Sequence, residues 1–101
     1  MLIVPLAATP SQTISVTLAG QSCRIAVYQK STGLFVDLYI NDVLAIGGVI
    51  CLDRVRIVRD AYLGFIGDLG FYDAQGRADP DYTGLGNRFL LSYLETTDLV
   101  R

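Results

Sequence analysis

The 101 residues contain no histidine. Its absence removes the ordinary general base, the commonest zinc ligand and any Ser/His or Cys/His nucleophilic pair. Cys23 and Cys51 are the only thiols, too few for a four-ligand zinc site. Carboxylates are the remaining catalytic option. Asp53, Asp60 and Asp68 flank the central segment, and a glycosidase-type pair would need two of them about 5–9 Å apart across one cleft. No motif accompanies them, so roles in turns and caps are expected instead. Asp79, Asp81, Thr83 and Gly84 resemble the opening of a calcium loop, but Leu90 stands where the closing bidentate glutamate is required. Gly84-Leu85-Gly86 and Gly64-Phe65-Ile66-Gly67 lack both the Lys-Ser/Thr and the helix that a phosphate cradle needs, so they are expected to be backbone turns. The expectation is a chain that is not an enzyme and has no catalytic, cofactor-binding or metal-binding residue.

Composition narrows the classes further. Apolar residues make up 51% and charged residues only 18%, against a usual charged share of roughly 25%. Such a chain folds rather than remaining disordered, and its sparsely charged surface favours a subunit over a free monomer. A formal net charge of −2 gives no general attraction to nucleic acid or to an anionic membrane. No apolar run is long enough to span a bilayer. The opening Met1-Leu2-Ile3-Val4-Pro5-Leu6-Ala7-Ala8 has the greasiness of a signal core but no basic leader, and Pro5 interrupts it. A short first strand and cytoplasmic synthesis are expected. In that compartment Cys23 and Cys51 should be buried free thiols rather than a disulfide.

The elements that would position these side chains are strands. Ile14, Val16 and Leu18 alternate with Thr13, Ser15 and Thr17. After Ala19-Gly20, Cys23, Ile25 and Val27 alternate with Ser22, Arg24 and Tyr28. After Gly33, Leu34, Val36, Leu38 and Ile40 alternate with Phe35, Asp37 and Tyr39, and Asn41-Asp42 leads to Val43-Leu44-Ala45-Ile46. Period-two alternation broken by tight-turn residues predicts an antiparallel meander. Ile14, Val16, Ile25, Val27, Val36 and Leu38 are its predicted buried face. Gly47-Gly48 breaks the pattern, and residues 53–60 fit either a strand or an irregular turn. An aromatic strand is predicted over 62–72, then a turn at Asp73-Ala74-Gln75-Gly76, a loop over 77–86 and a last strand. The chain as a whole, 1–101, is expected to form one all-β domain, a small antiparallel β-barrel or sandwich of about six or seven short strands.

Two surfaces stand out for binding. In the last strand Phe89, Leu91 and Tyr93 share one face while Leu90 and Leu94 occupy the other. A small core buries one such face easily, leaving the second for a partner. Tyr82, Arg88, Leu90 and Leu94 are therefore candidate contacts, with Tyr82 expected to be exposed on the loop before the strand. Tyr28, Phe35 and Tyr39 form a second set, pointing outward from neighbouring strands. Outward aromatics can also serve as a stacking platform for single-stranded nucleic acid, but such platforms need a basic groove. Here Arg24 and Lys30 are balanced by Asp37 and Asp42. One lysine against seven arginines suits a protein interface, where Arg and aromatics are enriched and Lys is depleted. Arg54, Arg56 and Arg59 are expected to be solvated, with a partner's acids as the alternative.

Several stretches, in order over essentially the whole length, are similar to the small baseplate plug proteins of contractile-tailed bacteriophages. They are Ile3-Val4-Pro5-Leu6, Pro10 through Gly20, Gly33-Leu34-Phe35-Val36-Asp37-Leu38, Gly47-Gly48-Val49-Ile50-Cys51 with Arg54-Val55, Tyr62 through Leu69, and Thr83-Gly84-Leu85-Gly86 with Arg88-Phe89 and Tyr93-Leu94. Members often carry a tryptophan in the third strand; this chain has none, and Phe35 stands nearby. The resemblance implies a structural virion component of the tail baseplate, on or beside the hub that joins spike to tail tube. It implies baseplate proteins as partners, with association between copies a further expectation, and no substrate or cofactor. The alternative is a generic small β-barrel module that binds a peptide or oligonucleotide.

Overall fold

The protein is described by a computed structural model over residues 2–58 and 67–94. Seven strands run in chain order: β1 Leu2–Val4, β2 Ser11–Leu18, β3 Gln21–Lys30, β4 Gly33–Ile40, β5 Val43–Ile50, β6 Asp68–Asp73 and β7 Phe89–Leu94. They form two antiparallel sheets, one in the order β2-β3-β4-β5 and the other β1-β7-β6. The fold is all-β, as the alternation predicts, with two sheets on one shared core.

The meander owes its register to its turns. Ala19 and Gly20 have φ of 51° and 76°, and Asn41 and Asp42 have 51° and 64°. Two successive positive φ angles make the two-residue loop whose twist matches the flanking strands. Asn and Asp tolerate that region better than most side chains. Rows of apolar side chains then align across all four strands: Ile14, Ile25, Leu38 and Ile46 face one another in register. Ile25, Val27, Val36 and Leu38 are fully buried, as expected, whereas Ile14 and Val16 are only half-buried. They lie on β2, an edge strand with one neighbour.

The second sheet closes the core from the other side with Val4, Leu69, Phe71, Leu91 and Tyr93. Phe89, Leu91 and Tyr93 are the buried side of β7, as its pattern indicates. Of the aromatic strand predicted over 62–72, residues 62–66 lie outside the described residues, and β6 begins at Asp68. Residues 53–58, ambiguous in the sequence, are irregular chain along the outer edge of β6, bridging it once in parallel fashion at Asp53 and Phe71 and once in antiparallel fashion at Arg56 and Gly70. The Arg54 N–H donates to the Phe71 carbonyl and the Ile57 N–H to the Leu69 carbonyl, each at 2.8 Å. The loop before β7 also passes close to the chain that follows β1. Gly86 has φ +77°, and a β-carbon there would run into the Leu6 carbonyl. Gly86→Ala should therefore cost about 1–3 kcal/mol from backbone conformation alone, read as a lowered thermal midpoint. An unchanged midpoint would mean that this approach is not tight.

Candidate functional site

Each carboxylate considered for catalysis is committed to backbone, except Asp60, which lies outside the described residues. The Asp73 N–H donates to Asp53, and the Arg54 guanidinium pairs with the same Asp53 side chain. Asp68 is buried and accepts from the Val58 and Leu69 N–H groups at 2.8 and 2.7 Å. Asp79 accepts from the Asp53 N–H. Asp81 caps a short 3-10 turn, Tyr82–Gly84, by accepting from the Thr83 N–H. These acids work as caps and clamps. Both cysteines are free and buried; burial pushes the Cys51 thiol up to about 12 and raises Cys23 as well, so neither is a nucleophile near neutral pH.

Of the seven candidate contact residues, three share one face of the four-stranded sheet, and the other four lie on β7 and the loop before it without gathering into one surface. Tyr82, expected to be exposed, is half-buried and packs against the core, and its N–H donates to the Gln29 side chain at 3.1 Å. The loop carrying it is drawn onto β3 by that bond, which alternation cannot reveal. Arg88 is occupied within the chain: Nε and Nη2 donate to the two oxygens of Asp73 at 2.8 and 2.7 Å, and the guanidinium carbon lies 5.0 Å from the Phe89 ring centre. Leu90 and Leu94 do project from the face opposite the core and are half-buried. Leu90 sits opposite Tyr72, while Ser92 between them is buried and donates to the Gly70 carbonyl. Leu94 lines a shallow cleft of about 170 Å³ beneath Arg54, Val55 and Arg56. The chain's own 53–58 segment thus stands beside the second apolar face of β7. Arg54 is paired with Asp53, and Arg56 Nε lies 4.0 Å from Asp68; Arg59 is outside the described residues.

Tyr28, Phe35 and Tyr39 share the outer face of the four-stranded sheet, as predicted. Tyr28 lies opposite Phe35, and Arg24 opposite Tyr39. The Tyr28 and Phe35 rings are stacked with centres 6.1 Å apart, and the Lys30 ammonium sits 5.5 and 5.8 Å from them. Arg24 lies 4.5 Å over the Tyr39 ring and pairs with Asp42 at 3.0 Å. The Tyr28 hydroxyl and the Gly48 N–H both donate to Asp37 Oδ1, at 2.8 and 2.7 Å. Burial, and then the bond to Asp37, pushes the Tyr28 hydroxyl above its ordinary value.

Sequence alternation missed the remainder of this surface. Ile50 lies opposite Phe35 and Leu44 opposite Tyr39, so both extend the aromatic face to the sheet edge. Val43, Leu44 and Ile50 are 68%, 53% and 40% exposed, three of the four exposed large apolar side chains among the described residues. The rows Ser11-Tyr28-Phe35-Ile50 and Ser15-Arg24-Tyr39-Leu44 grade from hydroxyls at one edge to apolar groups at the other.

A family model described as cyanophage baseplate Pam3 plug gp18 matches residues 1–96 of the chain. The chain belongs to this baseplate plug family. No curated protein matches it. Membership supports a structural role in the tail baseplate, among other baseplate proteins. That agrees with a molecule whose candidate catalytic acids serve as caps and clamps and whose exposed Leu44 and Ile50 extend an aromatic sheet face.

Proposed function

We propose that the chain is a non-catalytic structural subunit of a phage tail baseplate, made in the host cytoplasm and packed on the central hub, spike and tail-tube assembly. The family match over residues 1–96 carries this reading. The outer face of β3, β4 and β5 is the surface that best supports a contact. Its aromatic and aliphatic groups, Phe35, Tyr39, Leu44 and Ile50, are the kind that anchor interfaces when desolvated. Leu90 and Leu94 form a second, smaller patch, since the 53–58 segment lies beside them, and Arg88 and Tyr82 act through the loop that supports it.

The stacked Tyr28 and Phe35 also suit the runner-up reading, a platform for a peptide or oligonucleotide. Lys30 already lies over both rings, and the net charge of −2 provides no basic groove. Protein contact is the better fit.

Co-purification with the hub from cells expressing both proteins tests this. Phe35→Ser with Tyr39→Ser should weaken capture at least about tenfold while the circular dichroism stays β-type, because anchor truncations commonly cost about 2 kcal/mol or more. Leu90→Ser with Leu94→Ser is the companion pair. Full hub capture by both double variants would move the contact elsewhere. Tight binding of single-stranded DNA without hub capture would install the platform reading.

A further inference from the structure

Asp37 stands in the middle of β4, an interior strand, where aspartate is disfavoured. Its Oδ1 accepts from the Tyr28 hydroxyl at 2.8 Å and from the Gly48 N–H at 2.7 Å. Tyr28 belongs to the regular β3–β4 ladder, opposite Phe35. Gly48 lies where the β4–β5 ladder is irregular. Pairing there passes from Leu38 and Ile46 to Val36 and Val49, so Gly47 and Gly48 together face the single residue Asp37. The extra residue is taken up as a bulge, with Gly48 at φ +66°, a region glycine enters freely.

This bulge decides which side chains of the strand's end face outward. Without it, pairing carried on from Leu38 and Ile46 would set Val49 opposite Phe35, Ile50 opposite Leu34 and Cys51 opposite Gly33. Val49, now packed toward the core, and Cys51, now buried, would turn out. Ile50, now 40% exposed, would turn in. The exchange gives up Val49 and Cys51 for the larger Ile50, so apolar burial separates the two registers only weakly. The ladder bond from the Cys51 N–H to the Leu34 carbonyl would pass to Ile50. The bond from Gly48 to a carboxylate has no counterpart in the slipped register, and bonds to a charged acceptor are the stronger kind.

We propose that Asp37 is a register lock and a positioning residue for the outer face: by holding the Gly48 N–H, it makes Ile50 rather than Val49 the side chain presented beside Phe35. Tyr28 braces the lock by bonding the same carboxylate oxygen from β3. The Asp37 carboxylate, the Tyr28 ring and the Phe35 ring stacked on it are therefore set together. The use of Ile50 in a baseplate contact rests on the function proposed above; the lock itself does not.

NMR and thiol labelling of the chain alone test the lock. The native chain should show cross-peaks between the Ile50 methyls and the Phe35 ring, since facing residues have β-carbons about 4.5–5.5 Å apart. In Asp37→Ala, Val49–Phe35 cross-peaks should take their place. Cys51 should then react with DTNB at least about tenfold faster, while buried Cys23 stays protected. Asp37→Asn keeps an oxygen acceptor and should keep the native cross-peaks. Persistence of the native cross-peaks in Asp37→Ala would overturn the lock. So would their loss without Val49–Phe35 contact, or equal acceleration at Cys23, because loosening alone frees side chains without exchanging them. If Asp37→Ala does not fold, Gly48→Ala decides. A β-carbon at 48 meets nothing within 4 Å among the described residues, so the substitution penalises only the positive φ, which the slipped register does not need. The same exchange is expected there, and its absence would count equally against the lock. Hub capture separates this role from the function itself. Full capture of a slipped Asp37→Ala chain, with capture lost in the Phe35→Ser, Tyr39→Ser double variant, would overturn the positioning role and leave the baseplate contact standing.

Discussion

Replacing Leu38 with alanine should destabilise the protein by about 2–5 kcal/mol, the range for removing a fully buried leucine from a core that relaxes only partly. Leu38 is fully buried on β4, an interior strand, in register with Ile25 on one side and Ile46 on the other. Strands hold it from both flanks, and the second sheet faces it across the core, so the cavity left behind has little freedom to collapse. The edge strand β2, on the far side of β3, provides the internal scale. Ile14 occupies the same row but is half-buried, so Ile14→Ala should cost clearly less. Ser15 and Thr17 are exposed, and alanine there should stay within about 0.5 kcal/mol. Urea denaturation of the four variants reads the series directly. An unchanged midpoint for Leu38→Ala would mean that the strand register is wrong by one residue.

That register was legible because two independent signals agree from β2 to the start of β5. Strict alternation marks the faces, and Ala19-Gly20 and Asn41-Asp42 mark two-residue turns that lock one strand against the next. The buried and exposed sides of β7 were legible for the same reason. Where the signals part, so does the reading. Gly47-Gly48 and Ala45 each insert one extra residue into β5, so a register counted forward from Ile40 and Val43 sets Ile50 opposite Gly33 rather than Phe35, two residues off but on the correct face. Residues 53–57 fit two periods because they belong to no regular element, bonding to β6 at scattered positions. Tyr82 and Arg88 were visible as candidates, but their partners were not. Gln29 is 53 residues from Tyr82, and Asp73 is 15 residues from Arg88, separations that no local pattern encodes. The baseplate role came from the ordered resemblance, since a contact surface has no chemical signature comparable to a catalytic triad.

Asp73 should make this protein acid-labile, through Arg88. The carboxylate closes β6 with its side chain fully buried, while Arg88 is 39% exposed. One oxygen accepts from the Gln75 N–H and Arg88 Nε, the other from the Ala78 N–H and Arg88 Nη2. Four donors on one carboxylate tie the 74–78 turn to the base of β7 and hold the Leu90–Leu94 surface in place. The two-point bond from Arg88, joined by the backbone N–H groups and opposed by burial, holds Asp73 well below the usual carboxylate range. A folded-state value below the unfolded one makes the contribution fully present above the unfolded value, 3.8. It is lost as pH falls from there through the folded value. Native chain should thus be insensitive to this group at neutral pH and lose stability below about pH 4. Arg88→Met removes the main cause of the depression and leaves a buried carboxylate with two backbone donors. Its acid unfolding midpoint should move upward by roughly one pH unit or more, the scale of an adjacent cation's effect. Asp73→Asn should lower stability at pH 7, because an amide nitrogen faces donors, and should flatten the acid limb. Fluorescence-monitored unfolding from pH 2 to 7 distinguishes these outcomes. If Arg88→Met and the native chain unfold along the same acid limb, the pair contributes no pH dependence and the clamp assignment fails.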